Sequence, residues 1–75
     1  MERYLNRNGN SNVAASEYGP GYIRVQFGDG SVYLYTDSSA GPFNIQRMKQ
    51  LADGGMGLNS FINSNVRKLY QIRER

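Results

Sequence analysis

Asn63, Arg67 and Tyr70 stand four and three residues apart near the end of the chain, in the stretch FINSNVRKLY, with Lys68 beside them. On a helix these spacings put the three on neighbouring turns of one face. The residue types suit one kind of chemistry. A guanidinium grips a phosphate or carboxylate through paired hydrogen bonds, an amide reads a donor–acceptor edge, and a phenol ring stacks on a base. Arg67 and Lys68, with Arg47 and Lys49 upstream, are therefore candidate contacts to backbone phosphates. Tyr70 is a candidate stacker and Asn63 a candidate edge reader. A plainer arrangement competes, in which Asn63 caps a loop, Tyr70 edges the core and Arg67 pairs with an acid. Amphipathic helix borders commonly carry such residues with no ligand, so the plainer arrangement is the more frequent outcome.

The preceding segment, GGMGLNS, raises the possibility of a phosphate-binding turn, which needs backbone N–H groups converging at a helix N-terminus. It lacks the Lys-Ser/Thr of a P-loop and does not follow a strand, so it reads as a plain connection. No catalytic constellation stands out. The chain has no cysteine and no histidine, which excludes disulfides, Cys/His zinc sites, thiol nucleophiles and imidazole bases. The acids Glu2, Glu17, Asp29, Asp37, Asp53 and Glu74 fall mostly in predicted turns or near the ends, and no pair has a spacing that demands proximity. The expectation is a protein that is not an enzyme and uses neither metal nor cofactor.

Nine Lys and Arg against six Asp and Glu give a net charge of +3 and a pI near 9.5. Arg67, Lys68, Arg73 and Arg75 lie within the last nine residues, where Glu74 is the one acid. That concentration suits polyanions. A solvated, fraying terminus accounts for it equally well. The apolar runs are too short for a membrane span and the first residues lack the apolar stretch of a signal peptide, so a cytoplasmic protein is expected.

The elements that must position these residues follow from periodicity. Seventy-five residues make one domain with a small core. Its expected parts are a flexible arm over 1–12, a domain over 13–72 and a basic tail over 73–75. VAASEYG reads as a short first strand. YIRVQF alternates, with Ile23, Val25 and Phe27 on one face, and SVYLYT is its partner across GDG. A two-residue turn there would face Val32 and Leu34 inward. A three-residue loop with Gly30 left-handed would instead turn Tyr33 and Tyr35 onto the Ile23/Val25/Phe27 face, and local chemistry leans to this bulged form.

DSSAGP reads as a loop, with Pro42 opening a helix over about Phe43–Ala52 that Gly54 and Gly55 end. A second helix starts near Leu58–Ser60, with Asn59 as its N-cap. Leu58, Phe61, Ile62, Val66, Leu69 and Ile72 form its apolar stripe at roughly 100° per residue. Asn65 contradicts the stripe, and the expectation is a buried amide bonded to backbone of the strands or of the glycine-rich connection. The predicted fold is thus α+β: a small antiparallel three-stranded sheet, made of a β-hairpin plus a short N-terminal strand, packed by two C-terminal helices.

YIRVQFGDGSVYLY, then a helix, a glycine break and FINSNVRKLY together resemble the KTSC domain, a small family named for its occurrence at the C-terminus of some lysyl-tRNA synthetases. The matching positions are Ile23, Val25, Phe27, Gly30, Tyr33 and Tyr35, then Phe61, Asn63, Val66, Arg67 and Tyr70, and the likeness covers about Ser11 to Tyr70. The closing Phe-x-Asn-x-x-Val-Arg-x-x-Tyr is its more specific part. Many relatives carry a Val-Pro pair where TDSSAG stands here. The resemblance implies a small α+β domain without established activity. Its synthetase context implies an association with RNA, and its recurring tyrosine pair favours the bulged hairpin. The functional expectation is a non-enzymatic module that binds RNA or single-stranded nucleic acid through a basic C-terminal helix. The alternative is a protein–protein interaction module or homodimer, using an edge strand or an exposed Val32/Leu34 face.

Overall fold

The computed structural model describes residues 1–5 and 12–75, so most of the asparagine-rich loop expected over Asn6–Asn12 lies outside the described residues. The architecture is α+β, but the described residues form five strands and three helices rather than three and two. The strands β1 (Glu2–Arg3), β2 (Val13–Gly19), β3 (Tyr22–Phe27), β4 (Val32–Thr36) and β5 (Ile72–Arg73) follow one another across a single antiparallel sheet. Between β4 and β5 the chain forms α1 (Asp37–Ala40), α2 (Pro42–Gly54) and α3 (Leu58–Phe61), which continues into a π-helical turn over Ile62–Val66.

The hairpin between β3 and β4 sets which side chains meet the helices. Phe27 N–H donates to the Ser31 carbonyl at 2.8 Å, Gly30 N–H donates to the Phe27 carbonyl at 2.9 Å, and Gly30 sits at φ +90°. Only glycine takes that backbone region without strain, so the loop is the bulged three-residue form. Val25 therefore pairs with Tyr33 and Ile23 with Tyr35, and both tyrosines share the inner face. Val32 and Leu34 point the other way. The outer face is not an open apolar surface, because Val32 is only 5% exposed. Arg24 there donates to Glu17 at 2.8 Å and through Nε to Glu74 at 2.5 Å, linking β2, β3 and the end of the chain.

The helical layer covers the inner face. Thr36 and Ser39 cap α1 reciprocally, Thr36 Oγ1 accepting from Ser39 N–H and Ser39 Oγ from Thr36 N–H. This short helix replaces the loop expected from DSSAGP. Pro42 opens α2, which buries Ile45 and Met48. Gly55, at φ +68°, closes it by donating to the Leu51 carbonyl. Leu58, Ile62 and Val66 complete a core with Tyr4, Val13, Ile23, Val25 and Tyr35.

Three local expectations are corrected here. The N-cap of α3 is Gly57, not Asn59. The second helix does not run on to Ile72: it ends with Val66, and Leu69 and Ile72 are 43% and 52% exposed. Widening the turn to i→i+5 over Ile62–Val66 keeps Ile62 and Val66 inward but swings Asn65 outward. Asn65 is exposed and its amide donates to the Phe61 carbonyl one turn back at 3.1 Å, so it is not the buried amide expected.

The chain ends are structural. Glu2 and Arg3 pair with Ser16 and Ala15, and buried Tyr4 accepts a hydrogen bond from Leu58 N–H at 3.2 Å. At the other end, Gln71 and Glu74 N–H groups donate to the Leu34 and Val32 carbonyls, both at 2.7 Å. β5 thereby occupies the edge of β4 that a three-stranded sheet would leave open, and β4 is not a free edge strand.

Candidate functional site

The helical layer is shorter than the sheet it covers. Past Val66 the chain makes a turn through Arg67 and Lys68, with Leu69 N–H donating to the Val66 carbonyl at 2.8 Å, and then drops to the edge of β4. Phe27 and Tyr33 on the inner face are only partly covered at this end, while Tyr35 stays in the core. Tyr70 fills part of that space. Its ring centroid lies 4.8 Å from Tyr33 and 6.3 Å from Tyr35, edge to face in both cases, and Tyr33 meets Phe27 in the same way at 5.6 Å. Such contacts add roughly 0.5–1.5 kcal/mol each beyond the area they bury.

Between the π-turn and these rings lies a cavity of about 260 Å³. Tyr35 and Ile62 form its inner wall, and Phe27, Tyr33 and Tyr70 its sides. Asn12, Asp29, Asn63, Arg67 and Lys68 border it. Its electrostatics are uneven. Arg67 and Lys68 are exposed, and neither makes an ion pair or a side-chain hydrogen bond among the described residues. Asp29 accepts from both the hydroxyl and the N–H of Ser31, at 2.6 and 2.9 Å, and these bonds hold its carboxyl below the usual range. Arg73 lies 5.5 Å above the Tyr33 ring. Tyr35 is only 1% exposed, and burial, with the Tyr33 and Tyr70 phenols nearby, pushes its hydroxyl up to about 12.

Of the residues singled out from sequence, Asn63, Arg67, Lys68 and Tyr70 border this one cavity. They meet around a turn and an extended segment, not along a basic helix. Arg67 does not take the acid partner that the plainer arrangement gave it, whereas Tyr70 does edge the aromatic cluster. Arg47 and Lys49 are elsewhere. Arg47 donates to Gln50 on the exposed side of α2 at 3.2 Å. Lys49 donates to the Gly19 carbonyl at 2.8 Å and sits 5.4 Å over the Tyr18 ring, so it ties α2 to the β2–β3 turn. Tyr18 joins that contact through both Asp53 carboxylate oxygens, at 2.9 and 2.8 Å, and the bond raises its pKa.

Sequence reasoning did not assign Tyr33, Tyr35 or Arg73 to the site. The signal for the tyrosines was the hairpin register, and Arg73 comes within reach only through the pairing of β5 with Tyr33. Other hollows border the described residues. One of about 510 Å³ lies beside Leu5, where the described chain is interrupted; another, of about 340 Å³, is bordered by Glu2, Glu17 and Asp53. Among the described residues no helix is long and apolar enough to cross a membrane. No family model, curated protein or solved structure matches the chain.

Proposed function

We propose that the protein is a non-enzymatic module that binds single-stranded nucleic acid, RNA in particular, at the cavity between the π-turn and the aromatic end of the sheet. The observation that carries this reading is the pairing of uncompensated charge with an exposed ring. Arg67 and Lys68 stand side by side with no acid partner among the described residues, next to Tyr70, which is 37% exposed and propped by Tyr33 and Tyr35. Cations that track a backbone beside aromatic faces that accept any base are the usual means of holding single strands. A cytoplasmic location belongs to the same proposal, supported by the absence of cysteine. So does kinship with the KTSC domain, since Asn63, Arg67 and Tyr70 of its closing motif gather at this cavity.

The alternative of a protein-interaction module has less support, because β5 occupies the edge of β4 and Val32 is buried. The test is binding of a fluorescent single-stranded RNA across a salt series. Two phosphates neutralised by Arg67 and Lys68 give a slope of roughly −1.4 log units of affinity per log unit of salt, at about 0.7 per single-strand phosphate. An affinity indifferent to salt sinks the reading.

A further inference from the structure

Tyr35 is almost wholly buried, yet its hydroxyl makes no hydrogen bond among the described residues. Every fully buried side-chain nitrogen or oxygen there has a partner. Both statements hold only if the sliver of Tyr35 that solvent reaches is the hydroxyl itself, opening into the cavity that the residue lines. Phenylalanine would fill the same place in the core without a polar group to satisfy, and an unpaired polar group inside a protein is unfavourable. The hydroxyl is thus a donor and acceptor facing the cavity.

The surroundings narrow what that space accepts. At about 260 Å³ it lies below the roughly 300–1,000 Å³ of sites for drug-sized ligands, so it admits one ring system and not two. Tyr33 and Tyr70 bound it with aromatic surface, while Asn63, Arg67 and Lys68 stand at its border. The π-turn that leaves Asn63 and Arg67 free there is a geometry found often at functional sites. Asp29 is the one carboxylate on the cavity among the described residues, kept ionised by Ser31. A carboxylate accepts from an exocyclic amino group, as on cytosine or adenine, and equally from the N3–H of uracil.

We infer that the cavity is a single-base subsite, in which one unstacked base of a bound strand places its polar edge on the Tyr35 hydroxyl and its neighbouring phosphate on Arg67 and Lys68. This rests on the single-strand reading above.

The experiment compares wild type with Tyr35→Phe, after a denaturation midpoint confirms that the variant is folded. The probes are oligo(C) and oligo(U), followed by anisotropy, and cytidine and uridine monophosphates, followed by NMR shifts of the Tyr35 ring. Wild type is expected to bind both bases in both formats. Tyr35→Phe is expected to lower the affinity of both oligonucleotides by about three- to tenfold, the range of one hydrogen bond, with the salt slope unchanged. If strands bind with the expected salt slope but Tyr35→Phe leaves affinity intact, the subsite is overturned and the single-strand reading stands. If cytidine monophosphate shifts Tyr35 while no strand binds, the base pocket stands and the strand reading falls. If neither probe binds, both fall.

Discussion

Under α2 and α3 the inner sheet face is closed by Ile23, Val25, Ile45, Met48 and Leu58, side chains that solvent does not reach. Beside them on the same face, towards β4, where Tyr35 stands opposite Ile23 and Tyr33 opposite Val25, Phe27, Tyr33, Tyr35 and Tyr70 meet edge to face around an open cavity. The aliphatic end gains stability from area removed from water. The aromatic end keeps hydroxyls and cations where a purely structural surface needs neither. One face of one small sheet thereby carries an aliphatic part that is closed and an aromatic part that borders a cavity.

The strongest test of that division is Leu58→Ala. Leu58 is fully buried between sheet and helices, and removing its side chain is expected to destabilise by about 2–5 kcal/mol. A chain of this length has about 4–11 kcal/mol in total, so the loss is a large fraction of it. The urea midpoint measures this directly. A loss under about 1 kcal/mol would mean that the aliphatic end relaxes freely and is no firmer than the aromatic one.

The next effect belongs to the aromatic end and depends on pH. The Tyr35 hydroxyl has an ordinary value of 10.0, pushed up to about 12 by burial. Below pH 10 it is protonated in folded and unfolded chains alike, and its contribution does not vary. As pH rises from 10 towards 12 the unfolded chain ionises first, and stability falls by roughly 2–3 kcal/mol. Tyr35→Phe is expected to remove that part of the alkaline loss. Identical alkaline denaturation curves for the two proteins would place the titrating group elsewhere.

Two tyrosines then sharpen the contrast. Tyr4 lies among the aliphatic residues and its hydroxyl accepts from Leu58 N–H; Tyr35 lies at the cavity and its hydroxyl bonds to no described residue. Tyr4→Phe strands a buried N–H at the start of α3 and is expected to cost about 1–3 kcal/mol. At neutral pH Tyr35→Phe should change stability by less than about 0.5 kcal/mol, since no protein partner is lost. Thermal melts of the pair decide it, and equal losses would erase the distinction.

Much of the frame was legible because local signals agreed. Alternation marks Tyr22–Phe27, the loop chemistry of Gly28–Gly30 sets the register, and Pro42 and Gly55 bound α2. The two outer strands were not, since each has two residues and exists only through pairing with a neighbour. The false extension of the second helix has a clearer cause. Leu69 and Ile72 continue the apolar period, and no glycine or proline follows Val66 to stop it. The unpaired backbone of β4 competed for the same segment, and the bonds to Leu34 and Val32 outweighed another helical turn. Asn65, the residue out of place in the stripe, was the one local sign that the regular helix would not continue.

Arg67→Ala carries the smallest expected effect on the fold and therefore isolates the border of the cavity best. Arg67 is exposed and makes no ion pair or side-chain hydrogen bond among the described residues, so its removal is expected to shift stability by no more than about 0.5 kcal/mol. Its charge should still register in binding. One fewer phosphate contact reduces the magnitude of the salt slope by about 0.7, and the weakening is uniform across base sequences because a phosphate contact reads none. Tyr35→Phe should lower affinity and leave the slope alone. If Arg67→Ala instead unfolds the domain, the guanidinium supports the π-turn, and the division between the two ends of the sheet lies further towards Tyr70 than the exposed charges suggest.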